Sequence, residues 1–194
     1  RCISPLVFAT SVAVLLSGPP GSGKSTLAIS VCDRIARKSG REAVLLVPNL
    51  SQIPSAELGG TPKNVRACID RMTEIAQANR QRLVFALVDE VESAMPSRDR
   101  MDGRTEPTDS VRQTNEFLTG MERLGQEAPN MVVIATTNIP EFLDAAAADR
   151  FSLELFIGLP KSSTRLKIIR HTLSASGNDP DIAGSLPRKR SSLH

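Results

Sequence analysis

The chain has no tryptophan, no tyrosine and only six phenylalanines in 194 residues. Proteins that grip single-stranded nucleic acid stack its bases on aromatic rings, and there are too few rings here for such a platform. Cysteine is scarce too. Cys2, Cys32 and Cys68 are odd in number and scattered, which leaves no metal-ligand spacing; Cys32 and Cys68 fall on apolar helix faces, as reduced core residues of an intracellular protein do. Neither sign of charge dominates. The formal net charge is +3, with much of the excess in Arg188-Lys189-Arg190, which is too small to argue for a nucleic-acid partner. No apolar run is long enough to cross a bilayer. Residues 6–16, behind Arg1, resemble a secretory signal, but they lead straight into a glycine-rich loop that requires a buried strand before it, and strand is the better reading. No repeat is evident. With 40% apolar and 23% charged residues, the chain reads as one globular domain, or one domain and part of another. Because it starts with Arg, it is expected to be a fragment lacking an upstream portion.

What is present begins with Gly18-Pro19-Pro20-Gly21-Ser22-Gly23-Lys24-Ser25-Thr26. This stretch matches the phosphate-loop pattern in full, between an apolar strand over 12–16 and a helix over 25–37. A nucleoside triphosphate presents closely spaced anionic oxygens, so it calls for a concave row of backbone N–H groups, and glycine lets the chain bend that tightly. Lys24 brings a mobile cation to the β- and γ-phosphates. Ser25 offers a hydroxyl to Mg²⁺, and the helix adds its N-terminal dipole.

Downstream, Leu27, Val31 and Ile35 recur at i, i+4 and i+8, with Ala28, Cys32 and Ala36 beside them. They predict one broad apolar helix face, ended by Gly40. A second buried strand is expected over 43–47 and a loop over 49–60. A helix starting at Thr61-Pro62 and running to about Asn79 follows, with Thr61 as its N-cap. Residues 83–88 are continuously apolar, the pattern of a strand covered on both faces. A polar surface loop over 95–109 leads to a helix capped by Thr108 or Asp109 and stopped at Gly125. A strand over 131–135, a short helix over 140–148, a strand over 153–157 and a final helix from Ser162 complete the order. Five alternations of strand and helix predict an α/β fold, an open parallel five-stranded sheet with helices on both faces. The division expected is a large nucleotide-binding subdomain over 1–160, then the start of a helical lid and a frayed basic tail over 161–194.

In such a sheet, ligands collect at the carboxyl ends of the strands. Asp89 is placed to hold Mg²⁺ opposite Ser25, and Glu90 to polarise a water for in-line attack. Asn138 is a candidate to hold that water and sense the γ-phosphate. Arg150 is a candidate to stabilise charge in a neighbouring subunit's site, set against the plainer reading of a surface arginine in an ion pair. The arginines of 95–104 fit a solvated or intersubunit face.

Taken together, the phosphate loop, Asp89-Glu90, Thr136-Thr137-Asn138 and Asp149-Arg150 resemble the AAA+ ATPase module. The stretches Asp89-Glu90-Val91-Glu92-Ser93 and Thr105-Glu106-Pro107-Thr108-Asp109 are similar, more narrowly, to the pachytene-checkpoint (thyroid-receptor-interacting) ATPases. That resemblance implies a homo-oligomeric, hexameric ring that uses ATP and Mg²⁺ to remodel HORMA-domain proteins in meiotic or spindle-checkpoint control, in the nucleus or cytoplasm and without a membrane. It assigns Lys24 and Ser25 to nucleotide and Mg²⁺, Asp89 and Glu90 to the Walker B pair, Asn138 to sensor 1 and Arg150 to the trans finger. The family grips substrate with an aromatic-led pore loop, whereas Ser55-Ala56-Glu57-Leu58-Gly59-Gly60 has no aromatic and leaves Leu58 as the apolar contact. A sensor 2 arginine motif has no match in register near Arg188. A second reading is therefore a nucleotide-binding subunit that assembles with active partners and pulls nothing. A nucleic-acid-directed clamp loader ranks last.

Overall fold

The computed structural model describes residues 12–50, 60–95, 107–139 and 149–175. The expected helix over 140–148, residues 55–59 of the pore-loop segment, the arginines of 95–104, the run before Val12 and the basic tail lie outside the described residues.

Five strands pair in parallel in the order β2-β3-β4-β1-β5: β1 Val12–Ser17, β2 Ala43–Leu46, β3 Leu83–Val88, β4 Met131–Thr137 and β5 Leu153–Phe156. The helices are α1 Lys24–Ser39, α2 Gly60–Ala78 and α3 Pro107–Glu127, with a short 3-10 turn at Val91–Ser93. Side chains alternate across a strand, so an element buried on both faces must be apolar at every position. β3 meets that demand. Val84, Ala86 and Val88 pack with Val65, Ile69 and Phe117 of α2 and α3, while Phe85 and Leu87 pack on the other face with Ala28 and Cys32 of α1. Burial raises the Cys32 and Cys68 thiols above their ordinary pKa, so both stay protonated at neutral pH.

The open sheet and its two helical layers follow the pattern of apolar runs, but several local expectations need correction. β2 is an edge strand with an exposed-to-intermediate alternation, and is not buried. A run of four apolar residues does not reveal how many neighbours the strand will have. On α1 the buried stripe is Lys24, Ala28 and Cys32, whereas Leu27, Val31 and Ile35 remain 39%, 38% and 41% exposed. Lys24 must sit at the loop, and the small residues one and two turns later on its face let the helix lie close to the sheet. α3 begins at Pro107, so Thr108 and Asp109 are inside its first turn and do not cap it. It also continues past Gly125, whose cost of about 1 kcal/mol in helix propensity is outweighed by burying Leu124 and Ala128. α2 likewise starts at Gly60, ahead of the expected Thr61 cap. Met95 belongs to the core rather than to a surface loop, because the 3-10 turn folds it back and its N–H donates to Val91 O at 3.2 Å.

The described residues up to Ile157 and those from Gly158 onward form separate compact units. Within the second, α4 spans Ser162–Ala175, and Arg165 Nη2 donates to Ser162 Oγ at 3.1 Å across its first turn. Among the described residues no helix is long and apolar enough to cross a membrane.

Candidate functional site

Strand order decides what can meet. β4 lies between β1 and β3, with Ser17 in register with Thr137 and Val88 with Ala135. The chain therefore leaves β1 at Gly18 beside the place where it leaves β4 at Asn138, and Asp89 emerges level with Thr136.

After β1 the backbone turns sharply. Gly18 has φ 145°, and a Cβ there would stand 2.2 Å from the Ile157 carbonyl oxygen, so the loop can pass β5 at this distance only with glycine. Gly23, at φ 92° and ψ 21°, precedes α1 without a side-chain cap on the helix. The first-turn amides thus stay open to an external acceptor, and the first turn holds no acidic residue, as an anion site requires. Ser22 Oγ is buried without a hydrogen-bond partner. Such a hydroxyl fits a loop that takes a polar ligand.

Lys24, only 6% exposed, directs its ammonium to Gly18 O (2.8 Å), Pro19 O (3.1 Å) and Asn138 Oδ1 (2.7 Å). Ser25 Oγ donates to Asp89 Oδ1 at 2.9 Å. Asp89 also accepts from Thr136 Oγ1, and the same hydroxyl oxygen accepts the Glu90 N–H at 3.1 Å. Glu90 has φ 52° and ψ 59°, the one non-glycine positive φ among the described residues. Left-handed backbone at such a residue costs of order 1–3 kcal/mol and persists where its surroundings over-determine it; buried Val91 and the Thr136 bond do so here. Asn138 Nδ2 donates to Glu90 Oε1 at 3.5 Å, closing a chain from ammonium through amide to carboxylate.

Five of the residues singled out in the sequence, Lys24, Ser25, Asp89, Glu90 and Asn138, thus form one hydrogen-bonded group. Arg150 is not in it. That side chain, 41% exposed, pairs with Glu122 of α3 at 2.7 Å. Two contributors escaped sequence reasoning. Thr136 ties Asp89 to β4, and Glu92 Oε1 accepts the Asn138 N–H at 3.3 Å. The available signals were a hydroxyl at the end of an otherwise apolar strand and a third acid in the turn after β3.

The group has the chemistry of a triphosphate site. Glycine-shaped backbone and an uncapped helix start suit phosphate oxygens, and a buried ammonium suits their charge. Ser25 and Asp89 offer hard oxygen donors, and the described residues contain no group of three or more His, Cys, Asp or Glu side chains placed to hold a metal. That small donor set fits Mg²⁺, which keeps waters and phosphate oxygens in most of its coordination shell.

Comparison with known proteins supports nucleotide binding. The chain is 31% identical over 174 residues to a pachytene checkpoint protein 2 homolog of Oryza sativa subsp. indica, covering 88% of this chain and 36% of the relative. It therefore spans about a third of the length of the curated relatives it matches. Among solved structures, it resembles Caenorhabditis elegans PCH-2 at TM-score 0.66 and 26% identity, over 85% of this chain and 40% of that one. A chain in the E. coli MS115-1 HORMA:CdnC:Trip13 complex shares the fold at TM-score 0.74 and 24% identity, over 95% of this chain and 63% of its own length. The profile of the ATPase family associated with various cellular activities (AAA) matches residues 14–159, and the chain belongs to that family.

Proposed function

We propose that this chain is the catalytic module of a Mg²⁺-dependent, ring-forming ATPase, assembled as a hexamer, that remodels HORMA-domain proteins in meiotic or spindle-checkpoint control, in the nucleus or cytoplasm. The observation that carries the ATPase reading is the continuous link from Lys24 through Asn138 to Glu90, next to the Ser25–Asp89 pair. The substrate reading rests on the similarity to pachytene checkpoint proteins and on the HORMA protein named with the Trip13 complex. Residues 1–160 would act as the large subdomain, and α4 as the start of the helical lid.

Each residue has a defined task. The loop from Gly18 to Thr26 holds the phosphates by its amides, and Lys24 places its charge on the β- and γ-groups. Ser25 and Asp89 would hold Mg²⁺, which would neutralise phosphate charge. Asn138 orients the attacking water against Glu90, which takes its proton as the water oxygen bonds to the γ-phosphorus and the bond to the β,γ-bridging oxygen breaks, releasing ADP and phosphate. Arg150 reaches a neighbouring subunit's site after leaving Glu122.

Replacement of Glu90 by Gln preserves shape and removes the base. Turnover should fall by on the order of 10² to 10⁴ while radiolabelled ATP stays bound through gel filtration. If Glu90→Gln hydrolyses ATP at the native rate, Glu90 is not the base. A second reading, a nucleotide-binding subunit that does not pull, is favoured by the lack of an aromatic in Ser55-Ala56-Glu57-Leu58-Gly59-Gly60. ATP binding by the native chain, with neither hydrolysis nor release of a HORMA protein from its partner peptide, would select it.

A further inference from the structure

Glu92 is not accounted for by the tasks above. It stands two residues beyond Glu90 on the same turn, and its side chain has two different surroundings. Oε1 accepts the backbone N–H of Asn138, while Oε2 is buried without a hydrogen-bond partner. A buried carboxylate oxygen left unpaired is costly to maintain, so the bond made by the other oxygen calls for an explanation.

Asn138 is the first residue beyond β4, where the strand ladder no longer holds the backbone. Its side-chain oxygen faces the Lys24 ammonium and its side-chain nitrogen faces Glu90. Only one orientation of the amide satisfies both, because turning it over would set donor against donor and acceptor against acceptor. Both contacts also need the Asn138 Cα to stay where it is, and the Glu92 bond to the main chain fixes that point. Glu92 is itself well anchored. Val91 before it is fully buried, and the carbonyl of Ser93 after it accepts from Gln113 Nε2 of α3 at 2.8 Å.

Besides the Asn138–Glu90 side-chain contact, Thr136 and Glu92 each tie the carboxylate-bearing turn to the end of β4. Thr136 sets Asp89 and the Glu90 backbone, and Glu92 sets Asn138. We infer that Glu92 is a positioning residue for hydrolysis, acting through the Asn138 main chain to keep the amide between Lys24 and Glu90. The inference deepens the ATPase reading and rests on it. Glu92 itself accepts no proton and holds no metal in this scheme, and its function is to accept a hydrogen bond.

That last point separates two substitutions. Glu92→Gln retains an acceptor oxygen for the Asn138 N–H and loses the charge; Glu92→Ala loses both. On the whole chain, with ATP and Mg²⁺, Glu92→Ala should lower kcat by on the order of 10- to 100-fold, the scale of misplacing one catalytic group, with KM changed less than about threefold. Glu92→Gln should restore kcat to within about threefold of native. Residue-resolved amide exchange supplies a readout that needs no turnover. The Asn138 amide should exchange at least about tenfold faster in Glu92→Ala than in the native chain or Glu92→Gln, with the interior amides of β4 unchanged. Equal losses of kcat in both variants would overturn the inference, because charge would then be the important property. Native kcat in Glu92→Ala would overturn it as well, and so would unchanged protection at Asn138. If the native chain turns over no ATP, the ATPase reading fails, and the exchange at Asn138 still decides whether Glu92 holds it.

Discussion

A single hydroxyl or carboxylate at this site serves two neighbours at once, which makes the residue-scale chemistry sensitive to small changes. Thr136 accepts from Glu90 N–H and donates to Asp89, and Asn138 joins a cation to a carboxylate. Gly18 is the least replaceable position in the loop. A methyl group there meets the Ile157 carbonyl, which is backbone and cannot step aside, and φ 145° is foreign to alanine. Gly18→Ala should therefore cost about 3 kcal/mol or more of unfolding free energy, combining backbone strain and overpacking, and should abolish binding of a fluorescent ATP analogue. Denaturant unfolding and a binding titration measure the two effects, and a stable variant with native affinity would refute the close approach to β5. The types of the phosphate-loop residues were readable in the sequence because their spacing is the chemistry. Thr136 and Glu92 were less visible, because a hydroxyl at a strand end and an acid in a turn are common and acquire a task only from what lies opposite.

At the scale of elements, the two helical layers differ in how they meet the sheet. α2 and α3 form the thicker layer, joined by the Arg123–Asp70 ion pair and by Gly120, where a Cβ would fall 2.1 Å from Ile69 Cδ1 and about 3.1 Å from its Cγ2. Ile69 is fully buried, so its side chain can turn away only by displacing packed neighbours. Gly120→Ala gains about 1 kcal/mol in helix propensity and loses about 1–3 kcal/mol to overpacking. The net expectation is a destabilisation of about 1 kcal/mol, read from the urea midpoint. A more stable variant would mean that the two helices are not in tight contact at this point. Helix periodicity identified α1, α2 and α3, but of the broad face expected on α1 only the Ala28 and Cys32 side is buried. Leu27, Val31 and Ile35 have the right spacing, and so do Lys24, Ala28 and Cys32. The loop's hold on Lys24 selects the second set, and a hydropathy pattern does not register that constraint.

For the whole molecule, the proposed ring implies that a neighbouring chain completes each site. Arg150 pairs with Glu122 of α3 and is not in the chain's own hydrogen-bonded group; the task proposed for it is at a neighbouring subunit's site. ATP turnover per subunit should rise with protein concentration, require Mg²⁺, and fall by on the order of 10³ to 10⁵ in Arg150→Ala, with monomeric nucleotide binding kept. A flat concentration profile, or an active Arg150→Ala, would place the finger elsewhere. The sequence by itself determined the alternation of strands and helices, the two-sided burial of β3 and the side chains able to handle a triphosphate, because local periodicity and short-range spacing encode all three. Only the tertiary structure decided that β4 enters between β1 and β3, leaving β2 and β5 as edges. Apolar runs pair with one another without strong preference, so neighbour choice comes from how the crossover helices pack. It is that choice which sets Asn138 between Lys24 and Glu90 and brings Glu92 beneath its backbone.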